Sequence, residues 1–304
     1  MGFTEHSVLL EAPEDFNFWL TIRGSGWSVL KPFSFNEERQ ALSRVHRLSS
    51  GETARATVKE KRKGELEILV ESHEGLEKSG LEEIEQAVAA CLRLDEDQSS
   101  LLDLLRGYPE FGWVEEIGAG RSVRSPTVFE DVVKTICTTN ASCGLTKGIV
   151  SRLYSKLGEV FAGDAYTFPT PERMASAKAE FIKKEIKAGY RSPYIAELAR
   201  KVVDGELDVE AWNNSSLVSS SLKREILKVK GVGEYAADNI LKLLGRYDFL
   251  ALDSWMRRRF SETHGGGGEV SDEEIREFYA PFGRWKGLVF SLDMAKDYLV
   301  PRSR

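Results

Sequence analysis

The sequence predicts an α+β protein, with an N-terminal antiparallel β-sheet domain followed by a mostly α-helical core. Three observations carry this. Residues 16–75 alternate apolar and polar side chains between short breaks, the period of half-buried strands. From residue 125 onward apolar residues recur at helical spacing between Ser, Thr or Asp starts and Gly stops. The charge balance also changes along the chain. Residues 1–118 carry 13 Lys+Arg against 23 Asp+Glu, a net of −10, while residues 119–304 carry 29 against 25, a net of +4. The expected division is therefore a β-rich domain with one helix over 1–118 and an all-α core over 119–304. A chain of 304 residues is long enough for two such domains.

Taken in order, "FNFWLTIRGSGWSVL" has a Gly-Ser-Gly break between two aromatic-rich runs and reads as a hairpin. "RATVKEKRKGELEILVE" repeats the pattern, with Lys61, Arg62 and Lys63 as its solvated tip. "GLEEIEQAVAACLRL" has helical spacing. "LRGYPEFGWVEEIGAGRSVRSPT" is rich in Gly and Pro and reads as the domain boundary. Ser125-Pro126-Thr127 then opens a helix through "VFEDVVKTICTTNAS", and "GLTKGIVSRLYSKLGEVF" is the next. "TPERMASAKAEFIKKEI" starts with Thr170 as cap and Pro171 in the first turn. "SPYIAELARKVVDG" closes at Gly205. "SSLKREILKVKGVGEYAADNILKLLG" is two helices around a tight turn. "DSWMRRRFSETH", a Gly-rich loop, "SDEEIREFYAPFG" and "WKGLVFSLDMAKDYL" complete the chain.

Several function classes are not expected. The start has neither a basic flank with a long apolar run nor a Ser or Thr at position 6, so no signal peptide or myristoylation is expected. No stretch approaches 18 apolar residues, so no membrane partner is expected. Cys91, Cys137 and Cys143 lack metal or redox spacing and are expected to be buried thiols in a reducing compartment. His6, His46, His73 and His264 are scattered, so no metal held by side chains is expected.

The most informative stretch runs from Leu227 to Phe260. Lys230-Gly231-Val232-Gly233 sits between two helices, and Tyr235 stands in the first turn of the second. Two glycines let the chain turn tightly and leave backbone N–H groups uncovered where the helix dipole favours a phosphate. A plain helix connection would also use Gly-x-Gly. Lys223, Arg224, Lys228 and Lys230 alongside favour an anion. Asp253 follows 20 residues after Gly233, at a helix start and just before Arg257, Arg258 and Arg259. Alone, it could be only an N-cap.

This order and spacing resemble the helix–hairpin–helix (HhH-GPD) superfamily of DNA glycosylases. "VVKTICTTNASCGLTKGIVSRL", "GYRSPYIAELAR" and "PFGRWKGLVFSLDM" are similar to segments of its 8-oxoguanine DNA glycosylase branch, over about residues 125–298. The N-terminal sheet fits that branch and the bacterial 3-methyladenine DNA glycosylase II branch. The resemblance implies a base excision enzyme acting on double-stranded DNA that contains a damaged base, with Asp253 at the mouth of the base pocket. It implies backbone binding by the Lys230–Gly233 hairpin and Tyr235. It also matches Asn140 to the residue that fills the gap left by the flipped base, and Tyr190 and Arg191 to a minor-groove segment. Thr138 and Thr139 beside Asn140 could equally be a helix C-terminus. No cofactor is implied beyond a monovalent cation that the hairpin's backbone carbonyls could hold. A monomer is expected, in the cytoplasm or nucleoid of a prokaryote or the nucleus of a eukaryote.

The departures from the family pattern are as informative. Lyase members carry a nucleophilic Lys two residues after the second glycine, where this chain has Tyr235. Hydrolysis without strand cleavage is therefore expected. The 8-oxoguanine branch uses a Gln two residues after the Trp of its last segment, where this chain has Gly287 after Trp285. Its cytosine-reading Arg is replaced near Leu145. Trp255 and Trp285 could instead stack on a cationic alkylated purine such as 3-methyladenine, or be core residues. The alternatives are an 8-oxoguanine or other modified-base glycosylase, or an inactive damage-binding protein.

Overall fold

A computed structural model describes residues 2–24 and 26–300. The expected α+β class is found: an N-terminal antiparallel sheet followed by a mostly helical chain. The elements in the sheet-bearing part are β1 (Thr4–Glu11), α1 (Phe18–Arg23), β2 (Ser34–Asn36), β3 (Ala41–Arg47), β4 (Thr53–Arg62), β5 (Glu65–Ser72) and α2 (Lys78–Leu92). There follow α3 (Ser99–Leu105), α4 (Trp113–Ile117), α5 (Val128–Thr138) and α6 (Cys143–Leu157). Next come β6 (Val160–Ala162), β7 (Ala165–Tyr166), α7 (Pro171–Ser176), α8 (Ala179–Lys184) and α9 (Ser192–Val203). The chain closes with α10 (Ser219–Ile226), α11 (Glu234–Leu243), α12 (Ser254–Thr263), α13 (Asp272–Tyr279) and α14 (Lys286–Leu299).

Packing divides the chain differently from composition. Met1–Asp95 and Arg121–Glu210 form one compact unit, and Glu96–Gly120 and Ala211–Arg304 form another. The 118/119 division drawn from charge lies two residues from a change of unit at Gly120–Arg121, but the parts it separates are not the two units. The Gly- and Pro-rich stretch read as a boundary contains this change and carries α4, with Phe111, Trp113 and Val114 buried. The part after 119 is also not purely helical, because β6 pairs antiparallel with β7.

In the first unit the sheet runs β1-β5-β4-β3-β2, with antiparallel neighbours throughout. The Lys63-Gly64 hairpin forms where expected. Alternation puts Ala54, Ala56 and Val58 of β4 and Leu66, Ile68 and Val70 of β5 into one core with Ile84, Val88 and Leu92 of α2. The expected hairpin over 16–30 does not form. Asn17 accepts from the Leu20 N–H at 3.0 Å and caps α1 instead, and a local cap of this kind outcompetes strand pairing. Ser25, at the centre of the expected break, lies outside the described residues. β1, unread in the sequence, pairs with β5; its alternate residues stay exposed, which weakens the apolar signal. The single helix expected from Thr170 is two, broken at Ala177, where ψ is 118°.

A buried ion cluster joins the sheet to α5. The Arg44 guanidinium of β3 donates to both oxygens of Glu130, at 2.9 and 2.6 Å, and the Lys134 ammonium is 2.6 Å from the same carboxylate. The two cations hold the Glu130 carboxyl down at about 2 against its burial. Asp131, which accepts from the Trp27 indole at 2.6 Å and the Ser125 N–H at 3.0 Å, is pushed up to about 6, chiefly by burial. Cys91 and Cys137 are buried as expected, and burial raises both thiols to about 12. Cys143 departs from expectation: at the exposed start of α6 it faces solvent.

His46, buried beside this cluster, is lowered from 6.5 to about 3 by burial and then by the Arg44 charge. The folded state thus favours the neutral imidazole. The stability this gives is present above pH 6.5 and is lost as pH falls toward 3. Urea unfolding should show the wild type losing about 2 kcal/mol more than His46→Gln between pH 7 and pH 5. Parallel pH profiles for the two proteins would contradict a buried neutral His46.

Candidate active site

α10 and α11 enclose the hairpin. Val229 and Val232 point inward and are buried, and the Val232 N–H closes the turn on the Val229 carbonyl at 3.1 Å. Gly231 has φ +87°, so the turn requires a residue without a Cβ there. Gly233 is different. Its backbone is ordinary extended chain, φ −97° and ψ −175°, and a Cβ there would meet no described atom within 4 Å. Its openness faces outward, as the approach of another backbone would need. Gly233 is also the N-cap of α11 and supplies no side-chain cap to the first-turn N–H groups. Lys230 and Arg224 are exposed beside it. Two of the expected cations are engaged within the protein: Lys223 lies 2.7 Å from Glu234 and 2.6 Å from Asp238, and Lys228 lies 2.6 Å from Glu225.

Asp253 is the N-cap of α12, and its Oδ1 accepts from the Met256 N–H at 2.8 Å. The cap does not use up the carboxylate, whose charge also acts on the Tyr235 phenol at the start of α11. Burial, then the Asp253 charge, raise that phenol to about 12. Tyr235 is therefore neutral at any physiological pH. Of the three arginines after Asp253, Arg257 pairs with Asp272 at 2.6 and 3.0 Å and Arg259 with Asp297. Arg258 is exposed.

The two tryptophans have different surroundings. Trp255 is 43% exposed, in the first turn of α12, with its ring 6.3 Å from that of Tyr298, itself exposed on α14. The sequence carries no local signal for Tyr298, a single Tyr on an amphipathic helix. Trp285 is buried, stacks on Tyr247 with centroids 5.4 Å apart, and directs its indole N–H to Ser100 Oγ at 3.3 Å. Its packing is that of a core residue, the alternative the sequence left open for it, whereas Trp255 keeps an exposed face.

Asn140, Tyr190 and Arg191 come together in the first unit. Asn140 leaves the end of α5 with φ +46°. The Arg191 guanidinium donates to the Thr139 carbonyl, to the Asn140 carbonyl at 3.1 Å and to Ala188 at 3.4 Å. Tyr190 is half exposed and donates its hydroxyl to the Thr139 carbonyl at 3.0 Å. Arg191 itself is buried, and of the segment matched to the minor groove it is Tyr190 that is exposed. It holds the turn that presents Asn140. Among the described residues, no group of three or more His, Cys, Asp or Glu side chains is arranged to hold a metal, and no helix is long and apolar enough to cross a membrane.

Residues 133–282 match the model of the HhH-GPD superfamily base excision DNA repair protein. The chain belongs to that superfamily. A curated relative is the N-glycosylase/DNA lyase of Saccharomyces cerevisiae, 27% identical over 122 residues, which is 36% of this chain and 32% of that protein. The match thus spans about a third of the relative's length. The 3-methyladenine DNA glycosylase from Archaeoglobus fulgidus has a similar fold, with TM-score 0.78, 18% identity, and 97% and 100% of the two chains covered. So does the 8-oxoguanine glycosylase/lyase of Clostridium acetobutylicum, with TM-score 0.68, 21% identity, and 97% and 98% covered.

Arg191→Lys should cost roughly 1–3 kcal/mol of stability, because one ammonium cannot serve the Thr139 and Asn140 carbonyls that the planar guanidinium bridges. Urea unfolding measures this. An unchanged midpoint would mean that the turn holds without those bonds.

Proposed function

We propose that the protein is a monofunctional DNA glycosylase that hydrolyses the N-glycosidic bond of an alkylated purine, with 3-methyladenine as its type substrate, flipped from double-stranded DNA. The observation that carries this is Asp253 at the cap of α12, with Tyr235 at the start of α11 near enough for its phenol to respond to the Asp253 charge. A carboxylate stands at the start of α12, and its neighbour on the hairpin helix is a phenol rather than an amine.

The chemistry follows from those groups. The open N-terminus of α11 and the face around Gly233 receive a backbone phosphate without reading sequence. The damaged nucleotide is rotated out of the stack, which costs least for a base already weakly paired. As the glycosidic bond lengthens, positive charge develops on the sugar. The Asp253 carboxylate stabilises that charge and orients or deprotonates the attacking water. Its cap bond from Met256 sets its position in advance. Tyr235 has no amine with which to form an imine. The exposed face of Trp255 suits a cationic base.

A second reading has one observation in its favour, the partial match to an N-glycosylase/DNA lyase. In that reading an amine other than Tyr235 attacks the sugar, with Lys230 or Lys242 the nearest along the chain.

Asp253→Asn should lower the single-turnover excision rate on methylated duplex DNA by on the order of a hundred- to thousandfold, with affinity for abasic-site DNA nearly intact. Wild-type turnover by this variant would remove Asp253 from the mechanism. Borohydride added during turnover should trap no protein–DNA adduct, and product strands should break only on later alkali treatment. Efficient trapping would establish the lyase reading instead.

A further inference from the structure

Between α11 and α12 the chain runs through Gly245–Leu252 without regular structure and delivers Asp253. A segment of this kind has no repeating backbone bonds of its own, so its path is set by whatever it touches. Two groups grip it at Tyr247. The Gly287 N–H, in the first turn of α14, donates to the Tyr247 carbonyl at 2.8 Å. A Cβ on residue 287 would overlap the Phe249 carbonyl oxygen and come within 2.8 Å of that of Tyr247. Only glycine allows α14 to lie this close to the segment. The Tyr247 hydroxyl donates to the Glu96 carboxylate, 2.7 and 2.9 Å from its two oxygens, across 151 residues of sequence. The Trp285 ring backs the Tyr247 ring from α14's side.

We propose that Gly287 and the Tyr247–Glu96 pair are positioning elements for Asp253, clamping the segment that carries its carboxylate from the α14 side and from the Glu96 side. This rests on the reading of Asp253 as the residue that acts on the sugar, and adds to it the groups that set its place. Position 287 is where the 8-oxoguanine branch has a lesion-contacting Gln. In this chain the same position supports the carboxylate rather than reading the base. The remaining ties complete the hold: Arg246 donates to the Ser215 carbonyl at 2.5 Å, and Ser219 donates to Asp248 at 2.5 Å. Leu250, Ala251 and Leu252 are buried immediately before Asp253.

The test uses the full chain and four variants: Gly287→Ala, Tyr247→Phe, Glu96→Gln and the Tyr247→Phe/Glu96→Gln double. Tyr247→Phe keeps the stacked ring and removes only the hydroxyl, so it serves even if Gly287→Ala fails to fold. Single-turnover excision from methylated duplex DNA should fall about tenfold in each, because small misplacement of a reacting group has large kinetic effects. Affinity for a duplex with a tetrahydrofuran abasic analogue should stay within about twofold, as expected of groups that act on the transition state. The double variant should be no slower than the slower single, since the two side chains form one contact. In the free protein, the Tyr235 phenol, followed by carbon-labelled tyrosine NMR, should titrate lower in Gly287→Ala and Tyr247→Phe than in the wild type as Asp253 moves away. Folded variants with wild-type excision and an unshifted Tyr235 would overturn the inference. Loss of rate matched by equal loss of abasic-DNA affinity would overturn it too, by indicating a general disturbance. Asp253→Asn runs alongside: if it is inactive while Tyr247→Phe is unimpaired, this inference alone fails, whereas wild-type excision by Asp253→Asn overturns the reading of Asp253 and this inference with it.

Discussion

The place of one carboxylate depends on a segment that cannot hold itself. Gly245–Leu252 has no ladder and no helical turns, yet Asp253 at its end must meet the Met256 N–H and bring its charge near the Tyr235 phenol. The ties that fix it come from three stretches distant in sequence: Glu96, the Ser215–Ser219 region and the α14 start at Gly287. This explains why Glu96–Gly120 packs with the C-terminal helices rather than with the sheet it follows. Remove those ties and α12 could still form, but its cap residue would have no fixed relation to α11.

In the sheet-bearing unit, a corresponding constraint is the ion cluster around Glu130. Burying Glu130 and Lys134 in a core is unfavourable unless each charge is met, and Arg44 and Lys134 meet the carboxylate together. The cluster sets α5 against β3. At the other end of α5, Arg191 gathers the Thr139 and Asn140 carbonyls and keeps Asn140 in a left-handed turn. Charge buried in the interior thus anchors the body of α5, and a guanidinium holds the turn at its end.

The hairpin and the carboxylate divide the work between backbone and side chain. Gly231 makes the turn possible, Gly233 leaves its outer side clear, and α11 begins without a side-chain cap. Tyr235, one residue into that helix, is buried enough to stay protonated and close enough to respond to the Asp253 charge. A helix start open to an anion therefore lies near an acid and a neutral phenol.

Local signals in the sequence determined the helices with strong caps, among them Thr127, Thr170 and Asp253, the β4–β5 alternation, and the hairpin with its acid at a fixed spacing. These depend on neighbours within a few residues, so pattern and cap chemistry suffice to read them. The helix at 18–23 departs from the strand pattern of its two aromatic runs because the deciding bond, from the Leu20 N–H to Asn17, is a cap hidden among them. The tertiary structure alone decided that Trp285 is a buttress and Trp255 is exposed, that Arg191 points inward, and that Tyr247 reaches Glu96. Each of those outcomes is a contact between residues far apart in the chain, whose burial and bonding arise only when separate elements pack together.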